Sequence, residues 1–104
     1  MSDSGPSAAL TGAEWAWLRE IGLRLRLGRV RLGLSQSEWG NRSRVSRVTI
    51  GSVERADHVA ALMTYRRLAV ALAVPLDELL SETATKESWS SRLLRLPPDG
   101  RQTG

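Results

Sequence analysis

Ser35-Gln36-Ser37-Glu38-Trp39-Gly40-Asn41-Arg42-Ser43-Arg44-Val45-Ser46-Arg47-Val48-Thr49-Ile50-Gly51-Ser52-Val53-Glu54-Arg55 is the stretch on which the fold turns. Ser35 is a good helix N-cap, because its hydroxyl can accept a backbone N–H left without a partner at a helix start. It opens a short helix, Gln36 to Arg42, with Trp39 inward. Asn41 to Arg44 reads as a polar turn. Ser46 caps a second short helix, Arg47 to Arg55, with Ile50 and Val53 three apart on its buried side.

Outward from this pair the chain stays helical. Thr11-Gly12-Ala13-Glu14 fits a capping box and starts a helix. Leu23, Leu25 and Leu27 alternate with Arg24 and Arg26 at strand period, yet Leu18, Ile21, Leu25, Gly28 and Leu32 form one helical stripe. Leu and Arg favour helix, so the segment is read as helix from Gly12 to Leu32, ending at Gly33, either unbroken or in two pieces meeting near Arg19. Beyond the central pair, Ala56 to Ala60 is a loop. Ala61 to Ala73 is a fourth helix with Leu62, Tyr65, Leu68, Ala69 and Leu72 inward. Pro75 precedes a short fifth helix, Leu76 to Ser81. The expectation is an all-α, five-helix domain over residues 11–81, its central motif at 35–55. Residues 1–10 form a flexible tail, and 82–104 an extension that is helical around 87–96, where Trp89, Leu93 and Leu96 precede Pro97-Pro98.

Of the 104 residues, 41% are hydrophobic and 25% charged, an ordinary globular composition for one domain. The absence of Cys excludes a disulfide scaffold, a Cys-ligated zinc finger and thiol catalysis. His58 stands alone, which removes His-pair metal sites and most catalytic triads. No catalytic residues, metal ligands, cofactor or small-molecule ligand are expected. Arg interrupts every apolar run, so no membrane span is expected, and the N-terminus lacks the basic region of a signal peptide. The reading is a cytoplasmic protein. Residues 19–55 hold nine Arg against three Glu, a net +6 in a chain of net +4. Such a localised positive field points to a polyanion, nucleic acid before membrane. Fourteen of the fifteen basic residues are Arg, through either phosphate and guanine recognition or a GC-rich genome; the genome does not explain the clustering.

Two helices of about two turns joined by about four residues have the geometry of a DNA-binding helix-turn-helix. Ile21-Gly22-x-Arg24-Leu25-Arg26-x-x-Arg29-x-x-x-Gly33-Leu34-Ser35-Gln36, then Val45-Ser46-Arg47-x-Thr49-Ile50-x-x-Val53-Glu54-Arg55, then Leu68-Ala69-x-Ala71-Leu72-x-Val74-Pro75-Leu76-Asp77-Glu78-Leu79-Leu80 resemble three motifs of the lambda-repressor-like, Cro/xenobiotic-response-element helix-turn-helix family, in order and at family spacing over residues 20–80. The resemblance implies a double-stranded DNA operator as partner, with the helix from Arg47 in the major groove. Gln36 then reaches phosphate and base edges. The outer face, with Arg47, Val48, Gly51, Ser52 and Arg55, meets DNA: Arg47 suits guanine O6 and N7, Val48 a thymine methyl, and Thr49 and Ser52 bases or phosphates. Ser35, Ser37, Arg42, Arg44, Ser46 and Arg55 are assigned to phosphates. The resemblance also implies a structural ion pair between Arg29 and Glu54, so Glu54 is not an acid catalyst.

Some residues depart from the pattern. Arg44 and Ala73 stand where the family usually has Gly, Ala61 where it has a Ser or Thr cap, and Gly40 where it has Ala. Asp57 and His58 lie in a loop that is often basic. Trp15, Trp17 and Trp89 flank the motif and serve either as an extra core layer or as a homodimer interface. The functional expectation is a sequence-specific transcriptional regulator, a phage- or mobile-element-type repressor acting by promoter occlusion. The competing expectation is an antitoxin or protein-binding adaptor on the same fold. No constellation for an enzyme is present.

Overall fold

Five helices follow one another in the computed structural model, which describes residues 9–82: α1 (Gly12–Arg31), α2 (Gln36–Ser43), α3 (Arg47–Arg55), α4 (Leu62–Ala71) and α5 (Leu76–Leu79). No strand occurs among the described residues. Trp89 and the helix expected around 87–96 lie outside them.

α1 is a single 20-residue helix, so neither the alternation of Leu and Arg nor Arg19 breaks it. Its capping box is complete: Glu14 N–H donates to Thr11 Oγ1 at 3.1 Å, and Thr11 N–H to Glu14 Oε1 at 2.8 Å. Ser35 and Glu38 repeat the device on α2. The Ser35 backbone N–H, its hydroxyl and then Arg42 hold the Glu38 carboxyl below its ordinary pKa. α4 starts one residue later than expected and ends at Ala71, two residues short of Ala73. It has no side-chain cap, because Ala61 takes the N-cap conformation but has no hydroxyl, and Leu62, expected inward, is exposed at its start. α5 stops at Leu79, two residues short of Ser81.

The core gathers Ile21 and Leu25 of α1, Trp39 of α2, Ile50 and Val53 of α3, Leu68 of α4 and Leu79 of α5. Two glycines set the approach of helices. A Cβ on Gly22 would lie 2.6 Å from the Val53 carbonyl oxygen, so α1 rests directly on the α3 backbone. A Cβ on Gly40 would lie 2.6 Å from the Val45 carbonyl oxygen, so here even Ala is too large between α2 and the chain entering α3. α2 packs on α3 and also on α4. Arg24, only 2% exposed, ties α5 to α1: its Nη1 donates to the Leu79 and Ser81 carbonyls at 2.7 and 2.8 Å. A cation at a helix C-terminus meets the negative end of the backbone dipole.

Arg44, Ala56 and Ala73 adopt left-handed backbone, at φ 62°, 55° and 59°. For an L-residue this costs about 1–2 kcal/mol, which Gly avoids. Ala73→Gly is therefore expected to raise the unfolding free energy by about 1 kcal/mol, read as a higher urea midpoint at unchanged slope. An unchanged or lower midpoint would show that the turn after α4 carries no strain.

Candidate nucleic-acid interface

The surface is built from α3 outward. Ser46 turns the chain into the helix, its Oγ accepting the Thr49 N–H at 3.1 Å and donating to Thr49 Oγ1 at 2.9 Å. Ile50 and Val53 then drive one side of α3 into the core beside Trp39, which is fully buried. What remains outside at the N-terminal end is Arg47 and Val48, with Thr49 half-buried. Val48 is 72% exposed, an apolar side chain held in solvent by the inward demand of its neighbours.

Two residues of the expected outer face are not on it. Ser52 is buried, because the loop after α3, turned back by left-handed Ala56, brings His58 Nδ1 to 2.8 Å from Ser52 Oγ. The assignment of Ser52 to base reading is corrected on this ground: its hydroxyl is already engaged and covered. Gly51 is buried as well, beneath the Arg55 guanidinium, whose Nη1 lies 3.0 Å from where a Cβ would stand. The exposed residues of α3 are thus Arg47 and Val48 in its first turn and Arg55 at its end.

Behind that turn stands a clamp. Arg29 Nε and Nη2 donate to the two oxygens of Glu54 at 2.7 and 3.1 Å, and Nη1 donates to the Leu34 carbonyl at 2.9 Å. Side-chain exposures of 14% and 5% make the pair largely dry. Gln36 Nε2 joins it, donating to Glu54 Oε1 at 3.1 Å. One N–H of the Gln36 amide is therefore committed to Glu54, and Gln36 lines a shallow concavity with Arg26, Gly51 and Arg55. The clamp fixes the start of α2 against the end of α3, which sets the angle at which the first turn of α3 projects.

Around this surface lie the residues assigned to phosphate. Ser35, Ser37, Arg42, Arg44, Ser46 and Arg55 are all exposed. Arg55 shares its charge with Asp57, Nε to Oδ2 at 2.9 Å, in an exposed pair that contributes little to stability. Ser35 and Ser46 spend one hydroxyl lone pair on their helix caps.

Sequence reasoning passed over Arg24, Arg26, Arg66 and Arg67 as individual residues. The periodicity of α4 could have placed Arg66 and Arg67 outward, since Tyr65, Leu68 and Ala69 point in. Nothing local betrays Arg24, whose partners lie 55 and 57 residues away. Of the flanking tryptophans, Trp17 packs against the core of its own chain. No three potential metal ligands cluster among the described residues, and no helix there is long and apolar enough to cross a membrane.

Comparison with known proteins agrees with this architecture. A family model described as a helix-turn-helix domain matches residues 20–81. The crystal structure of the restriction-modification controller protein C.AhdI from Aeromonas hydrophila is similar, with 38% sequence identity and a TM-score of 0.59, over 62% of this chain and 97% of that one. No curated protein matches the sequence. With more than half its length inside the matched domain, the chain belongs to the helix-turn-helix family, in its lambda-repressor-like form.

Proposed function

We propose that the chain is a transcriptional regulator that binds double-stranded DNA by placing the first turn of α3 in the major groove. The observation that carries this reading is the pair Arg47 and Val48, both exposed at the tip of a helix whose other side is locked in the core. A guanidinium can donate two hydrogen bonds to guanine, and a neighbouring apolar side chain can cover a thymine methyl. Thr49 and the second N–H and carbonyl of the Gln36 amide supply further polar contacts at the groove edge. Ser35, Ser37, Arg42, Arg44, Ser46 and Arg55 hold the backbone on either side. Membership of the helix-turn-helix family supports the DNA-binding part of the reading.

The regulator acts as a repressor: it occludes a promoter in the bacterial cytoplasm, as a phage or mobile-element switch does. Two copies on a palindromic operator fit the small footprint of one motif. The likeness to a restriction-modification controller favours a second reading, in which the regulated genes belong to such a system.

Selection of bound DNA from a random duplex library tests binding, site and symmetry together. A recovered consensus with a guanine contact is expected, palindromic if two copies bind. Recovery of no consensus would remove sequence-specific regulation. Arg47→Ala is expected to cost about 1–3 kcal/mol of affinity and to relax preference at one base pair. Uniform weakening over all sequences would make Arg47 a phosphate contact instead.

A further inference from the structure

Arg42 and Arg44, at the C-terminal end of α2, and Arg66, Arg67, Val70 and Ala71, of α4, line a solvent-open concavity of about 260 Å³. The packing of α2 on α4 brings them together, and the inward demand of Tyr65, Leu68 and Ala69 turns Arg66 and Arg67 outward. All four arginines are exposed, and no acidic residue lines the trough. The guanidinium groups of Arg44, Arg66 and Arg67 form no hydrogen bond or ion pair among the described residues. Arg42 senses the carboxylate of Glu38. Four like charges in one concavity repel one another unless an anion joins them. One of them, Arg44, is moreover held at φ 62°, where Gly would sit without strain.

We propose that this trough holds the phosphodiester backbone of the duplex at the edge of the groove that α3 enters, with Arg66 and Arg67 extending the contact along the strand. The proposal rests on the groove reading given above. Its geometry follows from the chain. Arg44 precedes Arg47 by three residues, which span at most about 10–11 Å of chain. The major groove is about 12 Å wide, so the strand at its edge lies within that distance of a residue inside it, and an Arg side chain adds further reach. A guanidinium grips phosphate through two parallel N–H groups, which suits a trough made of arginine.

The test is the salt dependence of binding to a 30-base-pair duplex carrying the selected site. It compares the full wild-type chain with Arg66→Ala/Arg67→Ala and with Arg19→Ala, an exposed arginine on α1. Circular dichroism checks that each variant is folded. The plot of log affinity against log salt should be shallower by about two for the double variant, on every sequence, and unchanged for Arg19→Ala. Arg44→Gly should bind more weakly while unfolding at a higher urea concentration, because it loses the guanidinium and the backbone strain together. An unchanged slope in the double variant, with wild type still bound, would overturn the trough and leave the groove reading intact. So would undiminished binding by Arg44→Gly. Loss of a second bound duplex, seen by ultracentrifugation without change in the first, would show that the arginines grip another molecule, against the proposal. Failure of wild type to bind any duplex would strike the groove reading itself.

Discussion

Arg29→Ala is expected to lower the unfolding free energy by about 3–5 kcal/mol, a large part of the total for a domain of this size. The cause is the charge left behind. Glu54, 5% exposed at its side chain, would keep one hydrogen bond, from the Gln36 amide, and no cation. The Leu34 carbonyl would lose its guanidinium donor at the same time. Glu54→Ala should cost a similar amount by stranding Arg29. The paired variant Arg29→Met/Glu54→Leu should recover much of the loss, since removing both charges removes the desolvation that neither can bear alone. Urea unfolding of the three variants reads this directly. A loss below about 1 kcal/mol for Arg29→Ala would put the pair among ordinary surface ion pairs and deny it the role of setting the angle of α3.

The second large effect is the response of DNA binding to salt. Arg42, Arg44 and Arg55 of one copy make three phosphate contacts in the proposed complex, which predicts about a 40-fold loss of affinity between 50 and 200 mM salt. Two copies on a palindrome make six, for a loss on the order of a thousandfold. Arg66 and Arg67, the two trough arginines not in this count, would steepen both figures. A flat response would contradict the whole electrostatic account, because backbone contacts by guanidinium groups cannot form without releasing counterions.

The helices and the inward residues of α3 were legible in the sequence because they follow from local chemistry: caps at Thr11, Ser35 and Ser46, and the spacing of Ile50 and Val53. The resemblance to a known family supplied Arg29 and Glu54, which lie 25 residues apart and look like surface charges in isolation. It also marked Arg44 and Ala73 as residues standing in glycine positions, where the backbone is indeed left-handed. Ser52 could not be read this way. Helical period puts it outside, and only the return of the loop, with His58 over it, takes it out of reach. The basic trough was hidden for a different reason. Residues 56–80 carry a net charge of −1, so Arg66 and Arg67 vanish in a count along the chain and gain meaning only beside Arg42 and Arg44.

Methylation protection of guanine N7 tests the groove reading most directly, since N7 lies on the major-groove edge of the base. On the selected duplex, wild-type protein should shield at least one guanine N7, and Arg47→Ala should restore reactivity at that base while protection elsewhere persists. Guanines that stay reactive throughout the site, or protection that Arg47→Ala leaves untouched, would contradict the placement of the first turn of α3 in the major groove.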